Sequence, residues 1–262
     1  MKTKYPDVEL DHSFHPVENN QPLHFTPGQI EQFNREGYTS NVSVFEGEQL
    51  AAVQQYFREV NVDDITSKSA LFQSFHHTVP ELFDIATNPT IVTCLQDLIG
   101  PNIVCFASQY INKAPGSPGS AVVWHQDASF NAMDSRAVIV WLAIEDANIE
   151  NGCMWFVPGS HHNGLLEFGQ PGHKVSEAES YGTPVPIEVK AGQVVLFSDL
   201  LLHSSPPNVS KIRSRPGLTI SYIGAEVVPY HQGERAAVLC SGDDVHGNWK
   251  HHARPESSVV AN

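Results

Sequence analysis

"RAVIVWLAI", residues 136–144, is the stretch on which the fold turns: after Arg136 come eight consecutive apolar side chains, half of them valine or isoleucine. A bilayer-spanning helix needs about 20 such residues, so this run is too short to cross a membrane. Its length and β-branched content fit a strand buried on both faces. Outward from it, the chain after Gly100 breaks into similar short runs: "NIVCFASQYIN", "SAVVWHQ", "CMWFVPG", "TPVPIEV", "QVVLFSD", "LLHSS" and "GLTISYIGA". Tight, Gly- and Pro-rich breaks such as "KAPGSPGS" separate some of them, and residues 159–184 form a longer Gly-, His- and Ser-rich connection. About eight strands without intervening helical periodicity predict a mainly β protein with flanking helices, built as a double-stranded β-helix, the jelly roll also described as cupin-like.

Upstream the pattern is helical. In "TPGQIEQFNREGY", residues 26–38, Thr26 and Gln29 form a capping box, Pro27 suits the first turn and Gly37 ends the helix. Further helices are expected in "GEQLAAVQQYFREV" and "PTIVTCLQDLIG". The expected organisation is a tail or arm over 1–25 and one domain over 26–262. That domain divides into a helical part (26–100), a jelly-roll core (101–224) and an irregular C-terminal segment (225–262).

Composition narrows the partners. The 29 acidic and 15 basic residues give a net charge of -14, with no basic run to offset it. Nucleic acid and anionic membrane surfaces are therefore poor partners, and a small molecule is the expected one. The four cysteines, Cys94, Cys105, Cys153 and Cys240, are scattered without a C-x-x-C pair, which argues for a reducing cytoplasm. Oligomeric state has no signature.

The chemistry-bearing stretch is "AVVWHQDASF", residues 121–130. Chance alone supplies roughly 0.6 His-x-Asp triplets in a chain with this many His and Asp, so the triplet needs context. On a strand, His125 and Asp127 share a face while Gln126 turns away. A third ligand is available at His203 in "FSDLLLHSSPPN". Two histidines and one carboxylate on one side of an ion leave positions open, the arrangement of non-haem Fe(II) oxygenases; zinc more often takes tighter sets with Cys or a third His.

The pieces "TPGQIEQFNREGY", "INKAPG", "WHQD", "VIVWLAIEDANIENGCMWFVPGSH", "AGQVVLFSDLLLHSS" and "SRPGLTISY" stand in an order that resembles the phytanoyl-CoA dioxygenase (PhyH) family, over residues 26–224. The resemblance implies Fe(II) held by His125, Asp127 and His203, with 2-oxoglutarate and O2 as cosubstrates. It assigns the distal carboxylate of 2-oxoglutarate to Arg215, with Arg213 as the rival, and places Lys113, Gln126, Trp141 and Ser205 in the cosubstrate pocket. Phe75, His76, His77, Phe130 and Asn131 are candidates for touching substrate. The reaction implied is hydroxylation of an unactivated C–H bond of a small metabolite, with succinate and CO2 as coproducts. Halogenases of this type carry Ala or Gly where Asp127 stands, so halogenation is not expected. The alternatives are a phytanoyl-CoA-like acyl-CoA 2-hydroxylase and a non-catalytic metal-containing jelly-roll binding protein. Of the paired histidines, His161-His162 is expected to be structural and His251-His252 to lie in a polar tail.

Overall fold

The capping signals at residue 26 set the first element. In the computed structural model, which describes residues 9–59, 75–166, 175–230 and 236–256, Thr26 and Gln29 exchange the reciprocal bonds of a capping box at the start of helix α1 (Pro27–Glu36). Gly37 closes it in the left-handed conformation, φ 85°, where a Cβ would stand 2.7 Å from the His161 ring. Helices α2 (Gly47–Glu59), α3 (Pro80–Ala86) and α4 (Pro89–Ile99) follow, each of the last two opening on proline.

The strands are β1 (Tyr38–Ser43), β2 (Ile103–Lys113), β3 (Val122–His125), β4 (Val138–Ala143), β5 (Met154–Phe156), β6 (Val185–Ile187), β7 (Gln193–Ser198), β8 (His203–Ser205), β9 (Arg215–Gly224), β10 (Ala236–Ser241) and β11 (Lys250–His251). They form a major sheet in the order β1-β7-β4-β9-β2-β10-β11 and a minor sheet β3-β8-β5-β6. Every pairing is antiparallel except β10 with β11. This is the expected jelly roll. The apolar run of β4 is continuous because both its faces are covered. Val138, Val140 and Leu142 pack with the helices, whereas Ile139 and Trp141 pack with Phe156 and Phe197 on the side of the minor sheet.

Three expectations are corrected. The nominally helical part also contains β1, which completes the major sheet against β7. The segment after 224 is not irregular: β10 pairs with β2, and β11 adds to β10. His251 accordingly lies in an exposed edge strand and His252 just beyond it, His251 meeting Asp244 at 3.0 Å and the His252 amide donating to the Ala237 carbonyl. Among the described residues no helix is long and apolar enough to cross a membrane.

Residues 9–25 are an arm laid on the body. Buried Asp97 of α4 anchors it, its carboxylate accepting the backbone N–H groups of Leu23 at 2.6 Å, His24 at 2.8 Å and Phe25 at 2.9 Å. Hydrogen bonds to a charged acceptor each contribute about 1.5–3 kcal/mol, part of which water recovers at an arm edge. Asp97→Ala is therefore expected to destabilise the protein by about 3 kcal/mol, lowering the midpoint of a thermal melt by roughly 5–10 °C. Limited proteolysis within 9–25 should accelerate with it.

Candidate metal centre and cosubstrate pocket

Two short strands bring the ligands together. β3 and β8 pair antiparallel with His125 directly opposite His203, and Asp127 follows two positions later, where β3 gives way to a 3-10 turn. The His125 Nε2 lies 3.4 Å from Asp127 Oδ1, and the His203 Nε2 3.8 Å from Asp127 Oδ2. One ligand atom from each residue falls within 4.8 Å of the others, and the two imidazole centroids are 4.1 Å apart.

Backbone carbonyls select the tautomer. His125 Nδ1 is 2.7 Å from the Val123 carbonyl and His203 Nδ1 is 2.9 Å from that of Leu201. A carbonyl only accepts, so each Nδ1 carries its hydrogen and Nε2 is the nitrogen each ring offers to the shared centre. Burial works to lower the His125 pKa, but Asp127 and the Val123 carbonyl outweigh it and raise it, so a metal arriving there displaces a proton. Burial and then neighbouring His125 push the His203 pKa down to about 4, so its ring is neutral at ordinary pH. Burial works to raise the Asp127 pKa, but His203 and His125 outweigh it and the carboxyl stays below its ordinary value. A neutral imidazole and an ionised carboxylate are the forms that ligate metals. The donor set, two nitrogens and one carboxylate oxygen, fits an intermediate divalent ion such as iron with positions left open.

A second built feature faces the same cavity. Arg215 opens β9, is 1% exposed, and its Nε and Nη1 have no hydrogen-bond partner. Its guanidinium lies over the Trp141 ring, 5.1 Å from the centroid, and the indole in turn covers Gly217, where a Cβ would come within 2.3 Å of it. Only glycine admits that overlap. Burial pulls the Arg215 pKa down to about 10, which leaves it a cation at neutral pH. A buried cation with unspent donors is costly unless an anion completes it, and a planar fork of N–H groups matches a carboxylate. Arg213, the rival, is bound to Glu150 at 2.6 Å near the surface and does not line the cavity, whereas Arg215 does. The cluster, Arg215, Trp141 and Ser205 line one cavity of about 450 Å³, within the usual range for small-molecule sites.

Comparison with known proteins agrees with this geometry. The family description "Phytanoyl-CoA dioxygenase (PhyH)" matches residues 25–217, most of the chain. The chain belongs to the PhyH family. Phytanoyl-CoA dioxygenase 1 of Oryza sativa subsp. japonica is 39% identical over 130 residues, covering 45% of this chain and 44% of that protein. Phytanoyl-CoA dioxygenase domain-containing protein 1 of Bos taurus is 33% identical over 186 residues, 66% of this chain and 58% of that one. The chain thus spans about half the length of these curated relatives. Among solved structures, the apo form of the non-heme monooxygenase ThoJ superposes with a TM-score of 0.74 at 28% identity, covering 87% of this chain and 88% of ThoJ. In one cavity the His-Asp-His cluster forms a face of three metal-binding atoms, and the unpartnered Arg215 donors form a site for an anion.

Within this PhyH fold other expected site residues move. Gln126 is not a cosubstrate group. Fully buried on the far side of its strand, it donates to the carbonyls of Gly164 at 2.9 Å and Leu200 at 2.6 Å, and accepts the Leu166 amide at 2.8 Å. Strand alternation turned it there. It ties the ligand strand to the approach of β8, and Gln126→Leu is expected to cost about 3 kcal/mol by leaving buried backbone groups unpaired, visible as a roughly 5–10 °C lower melting midpoint.

Lys113 is corrected too. It pairs across β2 and β9 with Arg215, but its ammonium donates to the carbonyls of Ser205 and Pro206 and does not line the cavity. Burial and then Arg215 lower its pKa to about 7. His76 is buried on the helix side of β2, bonded to Ser108 Oγ at 3.0 Å and the Cys105 carbonyl at 3.2 Å, and His77 packs against His252; neither reaches the cavity. The side chain of Phe75 lies outside the described residues. Phe130 and Asn131 do line the cavity, with Phe130 edge-on to His125. His161 is structural as expected, its Nε2 3.0 Å from the Asn34 carbonyl.

Sequence reasoning missed Gln109, Thr219 and Ser221, which also line the cavity. Counting by twos from Arg215 along β9 reaches both hydroxyls, and from Lys113 back along β2 reaches Gln109.

Proposed function

We propose that this chain is an Fe(II)- and 2-oxoglutarate-dependent dioxygenase that hydroxylates an unactivated C–H bond of a small organic metabolite in the cytoplasm, acting as one catalytic domain over residues 26–262. The observation that carries the proposal is the pairing, in one cavity, of a three-donor metal face with a buried arginine that has unspent donors. His125, Asp127 and His203 would hold the iron, and Arg215, braced by Trp141, would hold the far carboxylate of 2-oxoglutarate. Iron and 2-oxoglutarate together supply the oxidation of the C–H bond by dioxygen. The chain's own work is to fix the ligand face, orient the acid by its distal end and exclude water between the two sheets. The all-thiol state of the four cysteines suits a reducing compartment.

An acyl-CoA substrate, which the names of the curated relatives evoke, is the second reading. Against it, Arg215 is the only basic lysine or arginine lining the cavity among the described residues, and the net charge is -14. A non-catalytic binding protein would need neither open coordination positions nor an anion clamp.

Anaerobic addition of Fe(II) and 2-oxoglutarate is expected to produce a weak visible charge-transfer band, absent in Asp127→Ala. Air should then convert 2-oxoglutarate to succinate. Absence of the band in the wild-type protein would remove the proposal, and a band without oxygen consumption with any candidate would favour the binding-protein reading.

A further inference from the structure

The cavity is furnished unevenly, and the unevenness speaks to what it accepts. Arg215 marks one end of β9, and Thr219 and Ser221 lie on the same face about 13 and 20 Å further along the strand. Gln109 stands directly opposite Thr219 on β2, and Trp141 of β4 flanks Thr219 on the other side. The side chains of Gln109, Thr219 and Ser221 have no hydrogen-bond partner among the described residues, so an amide and two hydroxyls face the cavity with their bonding capacity unspent. Phe106 and Phe130 add apolar surface.

Charge is what this end lacks among the described residues. Among the described residues the cavity lining holds Arg215 as its only lysine or arginine and Asp127 as its only carboxylate, while Lys113 is turned into the Ser205 and Pro206 carbonyls. An anionic group placed over Thr219 would be desolvated without a partner, at a cost of several kcal/mol. An ammonium would meet no free acid among the described residues there and would face the bound metal. A purely apolar substrate would cover the amide and hydroxyls and strand them, at about 1–3 kcal/mol each.

We infer that the substrate is an uncharged small molecule carrying hydrogen-bonding groups such as an amide or hydroxyls, oriented by Gln109, Thr219 and Ser221. The inference rests on the 2-oxoglutarate reading above, because it takes Arg215 to be spent on the cosubstrate.

The test uses the full chain loaded with Mn(II) and saturating 2-oxoglutarate, whose binding is first measured by calorimetry. Ligand-observed NMR then follows four fragment classes of matched size: primary amides and alcohols, carboxylates and phosphonates, amines, and wholly apolar fragments. Fragments in the cavity are those whose lines broaden with Mn(II) but not with Mg(II). Amides and alcohols are expected to dominate, and Gln109→Leu to weaken them by about tenfold, the worth of roughly one hydrogen bond. Gln109→Lys is expected to draw in carboxylates. Thr219→Val serves if a position-109 variant fails a thermal melt. Broadening led by anions, amines or wholly apolar fragments, or by none, overturns the inference while 2-oxoglutarate binding stands. Failure of 2-oxoglutarate to bind at all removes the underlying function instead.

Discussion

Arg215→Met will raise the 2-oxoglutarate concentration needed for half-maximal succinate formation by at least about a hundredfold, without lowering the stability of the ligand-free protein. The first part follows from the loss of two charge-assisted hydrogen bonds in a site closed to water, each contributing about 1.5–3 kcal/mol. The second follows from burial. Arg215 is 1% exposed with two donor nitrogens unpartnered, so the ligand-free fold carries an uncompensated cation. Methionine removes that cost while preserving much of the volume against Trp141. A calorimetric scan should therefore give an unchanged or higher midpoint for the variant. Adding 2-oxoglutarate and Mn(II) should raise the wild-type midpoint by mass action and leave the variant's where metal alone puts it. Arg215→Lys should recover part of the affinity, because charge returns without the planar fork. A variant that lost affinity and stability together would mean that Arg215 supports the fold, and that another residue binds the acid.

What the sequence made legible follows from how each feature is encoded. The strand at 138–143 announced itself because both its faces are buried, leaving no polar residue to break the run. Helix α1 was readable because its caps are local chemistry, complete within Thr26, Gln29 and Gly37. Strand β1, "YTSNVS", escaped because an edge strand paired only with β7 can stay polar, and its sequence looks like a connection. Strand β10 escaped for a related reason: its apolar run is short, and the partner that makes it a strand, β2, lies more than a hundred residues earlier.

The site divides the same way. His125 and Asp127 share a face by local geometry, and the same alternation sends Gln126 into Gly164 and Leu200. Arg215 could be placed after His203 by order alone. That it pairs with Lys113 while Lys113 turns its charge elsewhere is a matter of register between distant strands, which spacing does not contain. His76 shows the converse error: a histidine doublet beside a helix looked like substrate chemistry, yet Ser108 and the Cys105 carbonyl absorb the His76 ring completely. Burial drives its pKa down to about 3, so it is a neutral packing group.

Asp127→Ala will cost the protein its metal, and is a cleaner probe than either histidine. His203 packs between aromatic rings, 4.9 Å from the Phe197 centroid and 6.3 Å from that of Phe156, so its removal leaves a hole in the core as well as an open ligand position. The Asp127 carboxylate instead faces the cavity with 22% of its side chain accessible, and its backbone carbonyl, which accepts from Asn131 Nδ2, survives substitution. Loss of a partner that merely orients a ligand reduces affinity about 10- to 100-fold, so loss of a ligand should exceed the upper figure for Fe(II) or Mn(II) in calorimetry. With two imidazoles left and no carboxylate, 2-oxoglutarate-dependent oxygen consumption should fall by at least about a thousandfold, the transition-state equivalent of roughly 4 kcal/mol. The far-UV circular dichroism should not change. Asp127→Glu separates charge from reach: it keeps the anion but lengthens the arm in a cluster whose ligand atoms all fall within 4.8 Å. Metal binding that returns while turnover stays low would locate the requirement in ligand geometry. Full turnover in Asp127→Ala would mean that the ion sits elsewhere, and the assignment of all three ligands would fall with it.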